Sequence, residues 1–156
     1  MKTRVLESDL IGGLIIISLA MSILTTGCSS AEPATDADRA AVYEVVELNA
    51  YYLAVENLEG VMWTIHGDSP GRTESTTLTQ SMFDMFDLSY SIVDWEIESI
   101  DSETAKIRVV QITRKKAGAE PFRDNRIEAV HTLRKNADGQ WKIYSSEVGD
   151  VEYLEN

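Results

Sequence analysis

Cysteine is nearly absent. Cys28 stands alone in 156 residues, so no disulfide can form within the chain. Histidine is almost as scarce. His66 and His131 lie far apart, and with one cysteine they do not make the clustered ligand set a metal site needs. No metal or cofactor is therefore expected. Basic residues are few: 14 Lys and Arg stand against 26 Asp and Glu, for a formal net charge of −12. That balance argues against nucleic acid as a partner, because phosphate binding needs clustered Lys and Arg. It argues equally against direct docking on anionic lipid. The acidity reads as a solubilising surface. No glycine-rich phosphate loop, nucleophile elbow or kinase signature occurs. What the chain does have is 44% apolar residues, enough to build one ordinary core.

One long apolar run lies at the start. Residues 10–31 carry no charge, and their apolar centre, 10–24, follows Lys2 and Arg4, with Glu7 and Asp9 between. This length suits the core of a signal peptide and is short for a membrane span. The run closes in Leu24-Thr25-Thr26-Gly27-Cys28. That ending resembles a bacterial lipoprotein lipobox, with the small Gly27 before the cysteine and Leu24 one place earlier than the usual leucine. The resemblance implies diacylglyceryl transfer to the Cys28 sulfur, cleavage after Gly27 and acylation of the new amino terminus. Ser29 next to it implies outer-membrane sorting in a cell with two membranes. The expected location is the cell envelope, lipid-anchored and extracytoplasmic, since multiple acyl chains give stable anchoring. An uncleaved membrane helix is the other reading of the run.

The expected organisation is a leader over 1–27, a flexible tether over 28–36, a domain over 37–150 and an acidic tail over 151–156. The tether is rich in Ser, Ala, Pro and Thr without apolar periodicity. Asp36 or Asp38 can cap a helix over 37–55, where Val42, Val45, Val46, Asn49 and Leu53 recur at helical spacing. A shorter helical run covers 57–66 and breaks at residues 67–71. A third, over 74–86, carries Leu78, Met82, Met85 and Phe86, with Thr77 and Gln80 as a candidate capping box. From Leu88 the period falls to two. Val93, Trp95 and Ile97 alternate with Asp94, Glu96 and Glu98, and a second strand follows from Ala105 to Arg114. The clearest pair of strands is a hairpin over 126–144. Asp138-Gly139 supplies its turn, Ile127, Ala129, His131 and Leu133 share one face, and Trp141 and Ile143 share another.

Three helices followed by four long antiparallel strands, closing in Gly139-Gln140-Trp141-Lys142-Ile143, resemble the nuclear transport factor 2-like superfamily. That superfamily includes the SnoaL-like cyclases and ketosteroid isomerases. The resemblance implies an α+β fold in which a strongly curved antiparallel sheet wraps the first helix as a cone with a pocket inside. It also implies a short strand pair between the helices and the long strands, for which only 60–64 and 69–72 offer room.

The candidate pocket residues are Trp63, His66, Met82, Phe86, Trp95 and His131. The aromatic and methionine side chains serve equally as ordinary core material. His131 reads as a histidine hydrogen-bonded within the sheet, or as a pocket base. His66 reads as a partner of Asp68 or of its helix end. No spacing of tyrosines and carboxylates matches a family catalytic motif, so no catalytic residue is assigned. Arg108, Arg114, Arg123, Arg126 and Arg134 alternate with acids in a way that suggests cross-strand ion pairs. The leading functional expectation is a membrane-anchored lipoprotein whose non-enzymatic domain binds a small apolar ligand or a protein partner. A SnoaL-like or isomerase-like enzyme with His66 or His131 as acid and base is the alternative. A structural homodimer paired through the face that carries Val110 and Ile112 is another.

Overall fold

The computed structural model describes residues 33–118 and 121–155; the leader, Cys28 and most of the tether lie outside them. The order is α1 (Asp36–Ala54), α2 (Leu58–Thr64), α3 (Arg72–Met85), β1 (Asp87–Ile100), β2 (Thr104–Ala117), β3 (Asn125–Lys135) and β4 (Trp141–Tyr153). The strands form one antiparallel sheet in the order β1-β2-β3-β4. This is the expected α+β architecture, with the helices laid against the concave face of the sheet.

The cap of α1 is Thr35, and Asp38 acts from the third helical position instead of the cap itself. Thr35 Oγ1 accepts from the Asp38 N–H at 3.1 Å and the Asp38 carboxylate accepts from the Thr35 N–H at 3.1 Å, a reciprocal capping box. The same carboxylate accepts from Trp141 Nε1 at 3.2 Å and meets Lys135 Nζ at 2.9 Å. Asp38 thus fastens the start of α1 to both strands of the closing hairpin. These donors hold its carboxyl well below the ordinary value of 3.8, Lys135 first and Thr35 next.

Beyond this clamp the core is apolar. Val42, Val45 and Val46 pack against Ala105, Ile107, Leu133, Trp141 and Ile143, of which Val42, Ala105, Ile107 and Leu133 are 0% exposed. Asn49 shares the helical stripe because it has a partner across it. Its Nδ2 donates to Thr64 Oγ1 at 2.7 Å, and Thr64 donates on to the Val61 carbonyl at 2.7 Å. The second contact between α1 and α2 is Gly60, whose added Cβ would run into the Tyr52 ring.

Register explains where alternation fails. Val93 and Glu98 are extra residues in β1, so Ile92, Trp95, Ile97 and Ile100 face inward while Asp94 and Glu96 face out. The cross-strand row Ile97, Ile107, His131 and Ser146 runs straight across the sheet. On the outer face Arg108 lies 3.1 Å from Asp94, 3.5 Å from Glu96 and 3.6 Å from Glu128. Val110, beside it, is 1% exposed in the single chain.

Two elements differ from the sequence reading. Helix α3 starts at Arg72, so Thr77 falls inside it and donates to the Thr73 carbonyl, while Gln80 binds Asp84. Arg72 starts the helix early because its guanidinium donates to the Met62 and Ile65 carbonyls at 3.0 and 2.8 Å, closing the end of α2. Strand β4 runs on to Tyr153, past the expected hairpin end at Tyr144.

Leu133→Ala should destabilise the domain by about 2–5 kcal/mol in urea titration, the range for a large-to-small change at a sealed core site. Asp38→Asn should lower the unfolding midpoint at pH 7. Because the folded carboxyl is depressed, its stabilisation is complete above the unfolded value near pH 4 and is lost as pH falls toward the folded value. The gap between parent and variant should therefore narrow in thermal melts below about pH 4; a gap that stays constant to pH 3 would refute the charge-based role.

Candidate functional site

The six candidate pocket residues do not line one cavity. Trp63, in the last turn of α2, is 49% exposed, and the Lys142 Nζ lies 3.1 Å from its ring centroid. Lys142 is 4% exposed and its ammonium has no hydrogen-bond acceptor; burial pushes its pKa down, against the pull of Asp138. Trp95 stacks on Tyr43 with centroids 4.4 Å apart. Phe86 tilts against Phe122 at 5.3 Å, and Met82 lies half-buried one turn earlier. Trp63, Trp95 and the neighbouring Met82 and Phe86 occupy three separate parts of the domain.

The two histidines converge on one strand, β4. The His66 N–H donates to the Ile143 carbonyl at 2.8 Å, its ring edges against Tyr144 at 5.8 Å, and its Nδ1 accepts from the Asp68 N–H at 3.1 Å. His66 therefore meets the backbone of Asp68, not its carboxylate. His131 reaches β4 from the concave face, with Nδ1 2.7 Å from Ser146 Oγ.

Tyr144 and Ser146 line a cleft of about 270 Å³ between β4 and α3, together with Ile65, Leu78, Ile143 and Ser145. The cleft exists because of how the chain leaves α2. Ile65 forms a single parallel bridge with Ile143. A strand continuing from it would cover the edge of β4, but the chain turns away at residues 67–71 and enters α3. The short strand pair implied by the family resemblance is thus reduced, among the described residues, to this one bridge.

The packing face of α3 is not the expected stripe. Thr79 is its buried residue, Met82 and Phe86 are half-buried, and Leu78 is 62% exposed on the wall of the cleft. Further along β4, Val148 and Val151 pair with the inward-facing Ala129 and Ile127 yet are 64% and 45% exposed. Ser146, Leu78, Val148 and Lys142 had no place in the sequence-based site. The signal for β4 was hidden by two extra residues, Tyr144 and one at 149–150, which break the period of two.

Burial pushes the His131 pKa down to about 4. The imidazole is neutral at pH 7, and the group on its Nδ1 is a hydroxyl, not a carboxylate. At the far end of the concave face Tyr90 is pushed up to about 12, by burial and then by Glu56. Among the described residues no three His, Cys, Asp or Glu side chains gather as a metal-ligand group.

This arrangement defines a class: an α+β domain of nuclear transport factor 2-like fold. A protein of unknown function with a cystatin-like fold from Nostoc punctiforme superposes with a TM-score of 0.63 at 16% identity, over 77% of this chain and 95% of that one. A ketosteroid isomerase-like protein from Erwinia carotovora gives 0.58 at 18% identity, over 78% and 100%. A member of the nuclear transport factor 2-like family from Streptomyces avermitilis gives 0.61 at 16% identity, over 72% and 95%. At such identities the likeness is one of fold. The particular family comes from sequence: residues 44–154 match the family model of the anti-sigma-I factor RsgI9 C-terminal domain, and the chain belongs to that family. No curated protein matches.

The His131 value sets a pH dependence. A depressed histidine contributes stability that is present above the unfolded value of 6.5 and is lost as pH falls toward about 4. The full effect is on the order of 3 kcal/mol as an upper bound. Stability measured by urea titration should fall between pH 6.5 and 4 in the parent and fall less in His131→Gln. NMR should show the imidazole still neutral at pH 5.5; a midpoint near 6.5 would refute the assignment.

Proposed function

We propose that the chain is a lipid-anchored envelope protein whose domain binds a partner molecule and performs no catalysis. The observation that carries the binding role is the open cleft between α3 and β4. Its walls are apolar at Ile65, Leu78 and Ile143, carry hydroxyls at Ser69, Ser75, Ser145 and Ser146, and include the Glu74 carboxylate. Val148 and Val151 extend the apolar surface along the same strand. Such a lining, apolar patches among polar groups that fix orientation, suits an amphipathic molecule or a segment of another protein.

The isomerase-like alternative needs a base that takes up a proton near the working pH. His131, with a pKa of about 4 and a hydroxyl partner, is poorly matched to that role. A shared fold does not supply an activity. The family to which the chain belongs bears the name of an anti-sigma factor, a regulator by that name, and this too favours binding over turnover. The anchor rests on Gly27-Cys28 and the apolar run before it.

Native mass spectrometry of the protein extracted from its own membranes tests the proposal in one measurement. The expected spectrum shows a chain that begins at an acylated Cys28 and retains a bound molecule or partner. An unmodified Cys28 behind an intact leader would overturn the anchor. A ligand-free chain that converts a ketosteroid would overturn the binding role.

A further inference from the structure

Among the described residues, the edge of β4 that borders the cleft is an unfilled strand position. We infer that it accepts an extended peptide from a partner protein, one that alternates apolar and basic residues. This deepens the binding role proposed above and rests on it.

The geometry supplies the slot. An edge strand presents unpaired N–H and C=O groups along its length and invites a further strand. Among the described residues that edge of β4 is used once, by Ile65 at Ile143, and the chain then departs at residues 67–71. Between the two irregularities of β4, residues 145–148 pair with β3 through Ser145, Ser146, Glu147 and Val148 without a break. The cleft of about 270 Å³ lies alongside, walled by Leu78 of α3. A peptide lying there gains main-chain hydrogen bonds from β4 and an apolar contact from Leu78. Its alternate side chains point to opposite faces.

Charge selects the occupant. Glu74 lines the cleft, and Glu147, Asp150 and Glu152 are exposed along β4. Basic residues at alternate positions of the peptide meet these acids. A second copy of the chain is disfavoured at the same edge. Pairing β4 with itself would bring Glu147, Asp150 and Glu152 of both copies together, and each chain carries a net charge of −12. Like charges opposed across a ladder destabilise it.

The test uses the full chain and a fluorescent peptide of about eight residues that alternates valine and lysine. Binding should be saturable and should weaken several-fold between about 50 and 300 mM salt. Amide exchange should slow at residues 145–148 when the peptide is bound. Leu78→Ser, at an exposed position, should keep the thermal midpoint and weaken binding several-fold by removing the apolar contact without adding charge. Glu147→Lys should shift preference toward a valine–glutamate peptide. The inference is overturned if the valine–lysine peptide does not bind, if the valine–glutamate peptide binds the parent equally well, or if protection appears away from β4. Self-association of the parent through β4, seen by sedimentation and amide exchange, would overturn it as well. A small molecule retained in the native mass spectrum without peptide binding would remove this inference and leave the binding role standing. Absence of both would remove the two together.

Discussion

The domain depends on the seating of α1 against the closing hairpin. Three valines on one helical face are sealed against Ile107, Leu133, Trp141 and Ile143, and Asp38 fixes where along the hairpin the helix begins. Burial supplies the driving force, about 1.5–3 kcal/mol for each large apolar side chain, but it is non-directional. The Asp38 contacts are directional. They tie the helix cap to Trp141 and Lys135 at once, so the axis of α1 and the twist of the hairpin are set together. Everything that lies on the concave face is then positioned relative to that fixed end.

One consequence is an unequal domain. The end beneath the first half of α1 is dry and close-packed. Beyond it, α3 buries Thr79 and half-buries Met82, and part of the inward face of β4 stays exposed. His131 sits at the boundary, in a row with the sealed Ile107 on one side and Ser146 on the other. Its neutral state follows from that position, because burial disfavours the charged form of an imidazole. The hydrogen bond to Ser146 satisfies Nδ1 without bringing a charge into the core.

The outer face follows a different rule. Arg108 gathers three carboxylates there from β1 and β3; along β4, away from that face, two aromatic rings receive guanidinium groups, Arg134 over Tyr144 at 3.7 Å and Arg123 over Tyr153 at 3.9 Å. Exposed ion pairs contribute little to stability, about 0–1 kcal/mol each. Their effect is to fix register and to keep an acidic surface soluble. Stacking of an arginine over an aromatic ring adds a comparable amount and covers apolar surface that would otherwise meet water.

The element order, the hairpin turn at Asp138-Gly139 with φ of +75° at the glycine, and the inward set Ile107, Ala129, Leu133, Trp141 and Ile143 were legible in the sequence, because local periodicity and turn chemistry are properties of short stretches. The cross-strand pairing of arginines was legible for Arg108 for the same reason. The site was not. Trp63, Trp95 and Phe86 share composition but not location, since their placement depends on which strands and helices meet. Leu78 looked like a core residue from its spacing, yet it walls the cleft while its neighbour Thr79 is the buried residue of α3. Ser146 became the partner of His131 only through a register that one extra residue in β4, Tyr144, had displaced. Sequence by itself determined the order of helices and strands and the apolar faces of α1, β2 and β3. Tertiary structure alone decided where the packing ends and a cleft begins, because contacts between distant segments depend on register and on the path of connections, and neither is encoded in any local window.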